Sequence, residues 1–83
     1  MVSTEVAAQV KWWGRPAGRP ELQRLIGARR PSQDAVFFSR SGFTEHAMTY
    51  ARENRIALFK IDLPATVIAL NAHAEQMERS RKT

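Results

Sequence analysis

From Glu5 to Trp13 (EVAAQVKWW) apolar and polar positions alternate loosely, with Val6, Val10 and two tryptophans, a pattern that suits a β-strand. The alternation stops at GRPAGRP (Gly14–Pro20), where two glycines and two prolines in seven residues are loop chemistry. Leu22, Leu25 and Ile26 then fall at the spacing of one helix face. Pro20 sits at the start of that helix and Glu21 lies in the first turn, where the helix dipole favours a negative charge. Gly27 and Pro31 mark its stop, with Arg29 and Arg30 at the end that favours cations. Asp34 to Ser39 (DAVFFS) is a short apolar run that reads as a buried strand. After Ser39-Arg40-Ser41-Gly42, Thr44 is a good N-cap, Phe43 and Met48 occupy the positions of a hydrophobic staple, and the helix runs to about Asn54, a residue tolerant of the left-handed conformation. Ile56 to Ile61 (IALFKI) is a third strand. Asp62 can cap a last helix with Pro64 in its first turn and Val67, Leu70, Ala74 and Met77 along one stripe, and residues 79–83 are a polar tail expected to fray.

The predicted order is therefore β-α-β-α-β-α, an α/β class with a small, mainly parallel sheet and right-handed crossovers. Three strands make a narrow sheet, and the first is central or edge according to what pairs with it. At 83 residues the chain is read as one domain with a thin core. It contains no cysteine, which excludes disulfides, thiolate zinc and reactive-thiol chemistry. No apolar run approaches the ~20 residues of a membrane span. The N-terminal MVSTEVAAQVKWW lacks the basic-then-apolar pattern of a signal peptide, so a cytoplasmic protein is expected.

Charge adds a direction. The net charge is +5, and ten of the thirteen basic residues are arginine, whose forked donors suit phosphate oxygens. Residues 1–40 carry a net +4 and residues 41–83 only +1, so the excess surrounds the first two elements. A polyanion such as nucleic acid is the partner this balance favours over mere solubility charge.

The candidate chemistry starts at Gln9-Val10-Lys11, which puts an amide and an ammonium two residues apart on one strand face. A Q-x-K tripeptide alone is most simply a solvent-facing strand; its surroundings are more informative. QVKWWGRPAGRPELQRLIGA followed by AVFFSRSGFTEHAMTYARENRIALFKIDL resembles the C-terminal half of the Mrr-type restriction endonuclease domain, a member of the PD-(D/E)XK nuclease superfamily. The resemblance runs from Gln9 to Leu63. It rests on a Q-x-K strand, a basic loop, the P-E-L-x-x-L-x-G-like stretch, and above all the SGFT turn with YA and IALFKID downstream.

The resemblance implies a restriction-endonuclease-like three-layer fold and a parent activity of divalent-metal-dependent hydrolysis of DNA phosphodiesters. It assigns Gln9 to the variable member of the catalytic motif and Lys11 to its lysine, steadying charge that develops on the phosphorus centre. Gly42, Phe43 and Thr44 match the turn and cap that position the following helix. Two departures stand out. Ser39-Arg40 replaces the family's frequent pair of threonines, adding a cation, and the hairpin strand that carries the family's main metal-binding Asp has no counterpart among the eight residues before Gln9. Glu5 cannot replace that Asp, because at ~3.3 Å per residue it lies ~13 Å from Gln9 along the same strand. The expectation is a truncated domain that holds no metal by itself, needs the missing N-terminal part to bind Mg²⁺, and does not cut DNA at a useful rate alone.

Contact with DNA is expected to survive through Arg15, Arg19, Arg24 and Arg40. The two tryptophans have competing uses, base stacking or packing; alternation favours packing, with one ring inside and one on an interface. His46 and His73 lack partners for a zinc site, Ser39, Ser41 and Thr44 lack a nearby base, and Asp62 is read as a helix cap. Two non-enzymatic readings accompany the nuclease reading: a DNA-binding or assembly module re-using the fold, and a homodimer formed through the first strand.

Overall fold

A computed structural model describes residues 6–62 and 66–81. Glu5, Leu63, Pro64 and the last two residues of the chain lie outside the described residues. The elements are β1 (Val6–Lys11), α1 (Arg19–Ala28), β2 (Asp34–Ser39), α2 (Glu45–Asn54), β3 (Ile56–Asp62), β4 (Thr66–Ala69) and α3 (Ala72–Arg81). They form an α/β structure around one four-stranded sheet in the order β1-β2-β3-β4, with β1, β2 and β3 parallel and β4 antiparallel to β3. Successive crossovers of the same hand place consecutive helices on one side of a sheet. Accordingly α1 and α2 cover one face, where Leu22, Leu25, Ala47 and Ala51 pack with Ala35, Phe37, Ile56 and Leu58. On the opposite face α3 brings Ala74 and Met77 against Val36, Ala57, Phe59 and Phe38. β2 and β3 are therefore apolar on both faces, as central parallel strands are.

The end of the chain departs from the sequence expectation. Asp62 is the last residue of β3 and stands ahead of a strand, not at the start of α3, and Val67 lies in a strand, not on a helical stripe. The stripe of Val67, Leu70, Ala74 and Met77 competes with the β-branched run Thr66-Val67-Ile68, and the run prevails because it can pair with the free edge of β3. The last helix starts nine residues later than expected, behind Asn71. The Asn71 Oδ1 accepts the Ala74 amide at 3.0 Å and the Leu58 amide at 3.3 Å, while its Nδ2 donates to the Ile56 carbonyl at 2.8 Å. One side chain thus caps α3 and ties it to β3. The helix extends through residues 79–81, the first part of the tail expected to fray. At the end of α2 it is Arg55, not Asn54, that takes the left-handed conformation, at φ 56° and ψ 47°; Asn54 stays helical and donates from Nδ2 to the Tyr50 carbonyl.

Candidate nucleic-acid interface at the carboxyl end of the sheet

In a parallel sheet the loops that leave the carboxyl ends of the strands converge on one edge, the usual place for ligands in α/β folds. Here that edge gathers Lys11 from β1, Ser39 and Arg40 from β2, and the loops leading into α1 and α2. The Arg40 amide donates to the Lys11 carbonyl at 3.0 Å, extending the β1–β2 ladder by one bond. Beyond it the two loops are clipped together. The Ala17 amide donates to Gly42 O at 2.9 Å, the Thr44 amide to Ala17 O at 3.0 Å, and Ser41 Oγ to Gly14 O at 2.8 Å. Ala17 itself is fully buried. GRPAGRP is therefore anchored at its middle and at its start, which its glycine and proline content alone does not reveal.

The turn into α2 has a backbone reason for each residue. Gly42 sits at φ +82°, a conformation that glycine adopts without penalty. Phe43 drops its ring edge-on to Phe37 with centroids 5.6 Å apart, and Thr44 Oγ1 accepts the Ala47 amide at 3.1 Å. These contacts hold Arg40 and Ser41 over the end of β1.

Gln9 and Lys11 project from the α1-facing side of β1, in register with Phe37 and Ser39 of β2. They line a cleft of about 340 Å³ together with Glu21 and Arg24 of α1. Glu21 is the group that sequence reading placed only as a first-turn dipole partner. Its Oε1 lies 3.0 Å from Lys11 Nζ, and its Oε2 accepts both Lys11 Nζ at 3.1 Å and the Gly18 amide at 2.8 Å. Partial burial pushes the Glu21 carboxyl upward. The Gly18 amide, the Lys11 hydrogen bond and the charges of Lys11 and Arg24 outweigh that effect and hold it below the ordinary carboxylate range. Lys11 is thus fixed at both ends of its side chain, by the β1 backbone and by α1. The sequence signal that could have found this pair is P-E at the start of a helix that crosses back over β1.

The remaining candidate residues spread around this cleft. Arg15 is exposed in the first loop. Arg19 opens α1 with its guanidinium 5.5 Å from the centre of the Tyr50 ring, and Arg40 lies 5.7 Å from the centre of the Trp13 ring. The expectation that one tryptophan ring lies inside is corrected: Trp12 is 44% and Trp13 73% exposed, so neither ring enters the core. The reason is positional. β1 is an edge strand, and the chain turns away at Gly14, leaving no further described strand or helix beyond that edge for either indole to enter. Ser39, by contrast, is fully buried, and its hydroxyl has no hydrogen-bond partner among the described residues.

For a divalent cation the donor set is thin. Among the described residues no three His, Asp or Glu side chains come together. The cleft supplies one amide oxygen from Gln9 and one carboxylate whose oxygens already receive an ammonium and a backbone amide. A second groove of about 600 Å³, bordered by Val6, Asp34, Arg55, His73 and Met77, lies at the other end of β1 and β2 and shares no residue with the cleft. No helix is long and apolar enough among the described residues to cross a membrane.

Compared with known protein families, residues 2–66 match the Mrr_cat model, described as a restriction endonuclease. No curated protein and no solved structure matches the chain.

Proposed function

Because this chain belongs to the Mrr_cat restriction endonuclease family, we propose that it is a DNA-binding domain that takes the phosphate backbone on the carboxyl end of its parallel sheet. The observation that carries this reading is the cleft in which Gln9, Lys11 and Arg24 meet, with Arg15 and Arg40 on the adjoining loops. In this reading Gln9 and Lys11 are the family's reactive pair, and Arg15, Arg19, Arg24 and Arg40 contact phosphates. Gly42, Phe43 and Thr44 hold the turn that sets Arg40. Arginine presents a planar fork to phosphate oxygens, and every basic group that neutralises a phosphate releases a counterion.

The family is a class of metal-dependent nucleases, which places a Mg²⁺-type ion among the groups to be tested against these residues. Such an ion takes oxygen ligands and usually one or two carboxylates. Glu21 is already committed to Lys11 and Gly18, and Gln9 brings a neutral oxygen next to an ammonium. These residues do not by themselves make up a cation site, and no catalytic step is assigned to one. What they do supply is a fixed ammonium. Held 3.0 Å from Glu21, Lys11 offers its remaining donors to a phosphate oxygen laid across the cleft.

A mobility-shift titration combined with supercoiled-plasmid incubation tests this reading. The chain is expected to retard DNA at low salt and to leave the plasmid intact with or without Mg²⁺. Mg²⁺-dependent nicking that disappears in Lys11→Ala contradicts the division of labour proposed here, and a failure to shift DNA at low salt contradicts the binding itself.

One observation favours a second reading, a homodimer through β1. Among the described residues β1 has β2 on one edge and nothing on the other, and Val6 and Val10 on its α3-facing side are 46% and 53% exposed. An open edge strand is a template for a second copy. Sedimentation across a concentration series separates the readings, because the assembly reading requires a dimer whether or not DNA is present.

A further inference from the structure

Among the described residues Trp13 is the most exposed of the large apolar side chains, and it lies two residues from Lys11. Tryptophan is normally highly buried on average, so a ring left 73% exposed on an anchored loop calls for a partner. Its surroundings define the chemistry of that partner. One face of the indole is taken by the Arg40 guanidinium, 5.7 Å from the ring centre, leaving the other face to solvent. The pair is held in place from both sides: Arg40 N is bonded to Lys11 O, and Ser41 Oγ to Gly14 O, the residue after Trp13. Neither stretch, Lys11 to Pro20 or Ser39 to Thr44, contains an acidic residue, whereas Lys11, Arg15, Arg19 and Arg40 lie within them. Glu21 offsets Lys11 alone, so the ring lies in a frame with a net cationic excess, which suits a ligand that is flat and aromatic in one part and anionic in the other.

We propose that Trp13, backed by Arg40, is a stacking site for an unpaired nucleobase, so that the chain binds single-stranded DNA in preference to duplex. The inference rests on the DNA-binding reading above and narrows it. A base in a duplex has both faces covered by its neighbours, whereas a base in a single strand offers a free face to an aromatic ring, and such stacking tolerates any base. With the base on Trp13, the adjoining phosphates fall among Arg15, Arg40 and Lys11.

The test is an anisotropy titration of labelled oligo(dT) and of the matching oligo(dA)·oligo(dT) duplex in magnesium-free buffer, with tryptophan fluorescence followed in parallel. The single strand is expected to bind about tenfold tighter than the duplex and to quench the tryptophan emission. Trp13→Ala is expected to lose about tenfold in affinity for the single strand with an unchanged salt slope, and Trp13→Phe to retain most of it. Arg15→Ala is expected to lower the single-strand salt slope by about 0.7, the signature of a lost phosphate contact. The ring touches no core residue, and a circular dichroism spectrum of each variant verifies that the fold is kept. Equal affinity for both nucleic acids, or an unchanged single-strand affinity in Trp13→Ala, overturns this inference and leaves DNA binding standing. Absence of binding to either nucleic acid at low salt overturns both.

Discussion

Lys11 and Glu21 show what a contact between two elements adds to a pattern within one. The period-two geometry of a strand was enough to place Gln9 and Lys11 on one face from sequence. It could say nothing of Glu21, ten residues away, because only the packing of α1 across β1 brings the carboxylate within 3.0 Å of the ammonium. The same limit applies to the tryptophans, whose burial depends on whether anything lies beyond the strand edge. The Glu21 pair has a defined pH dependence. A carboxyl held below its unfolded value of about 4.3 contributes stability that is fully present above that value and is lost as pH falls through the folded pKa. Glu21→Gln is therefore expected to lower stability at neutral pH by about 0.5–1 kcal/mol, the size of a partly exposed ion pair, and to leave stability nearly unchanged at an acid pH below the folded pKa. Urea denaturation at both pH values measures the difference. Ser39 predicts the opposite sign. Its hydroxyl is buried without a partner among the described residues, so Ser39→Ala is expected to leave the melting temperature unchanged or to raise it, as differential scanning fluorimetry can show.

Most elements could be read from the chain because local and global preferences agree in them. The DAVFFS run is β2 to the residue, and α2 begins directly after Thr44. β4 was missed although its signal was present, since three β-branched residues in succession disfavour a helix while Val67, Leu70, Ala74 and Met77 keep helical spacing. Such short ambiguous runs are decided by pairing, here with β3. The device that makes this ending work is Asn71, through its three hydrogen bonds to Leu58, Ala74 and Ile56. Asn71→Ala is expected to destabilise the fold by about 2–3 kcal/mol, roughly 10 °C or more in melting temperature for a chain of this size. Asn71→Asp keeps the cap to Ala74 and loses the bond to the Ile56 carbonyl, so an intermediate value is expected. Thr44→Ala removes one exposed-end cap bond and should lower stability by about 1 kcal/mol. Thermal melts of the three variants rank them.

For the molecule as a whole, part of the basic excess seen along the first forty residues gathers at the carboxyl end of the sheet, while Arg29 and Arg30 follow the far end of α1. Lys11 closes β1, Arg15 and Arg19 leave in the next loop, Arg40 follows β2, and Arg24 returns over the cleft on α1. Q-x-K and SGFT carry the resemblance to the family in the sequence, whereas the anchoring of the loops and the Glu21 contact required the fold. In the proposed reading this surface takes a polyanion by displacing counterions, so its affinity would depend on salt in proportion to the cations engaged. The most direct test is the duplex-DNA affinity of the wild-type chain and of Arg15→Ala, Arg24→Ala and Lys11→Ala as a function of salt concentration. The slope of log affinity against log salt is predicted to be about −2 to −4 for wild type and to flatten by about 0.9 for each cation removed. A wild-type chain that does not bind DNA at low salt, or binds with a slope that none of the three substitutions alters, contradicts the account.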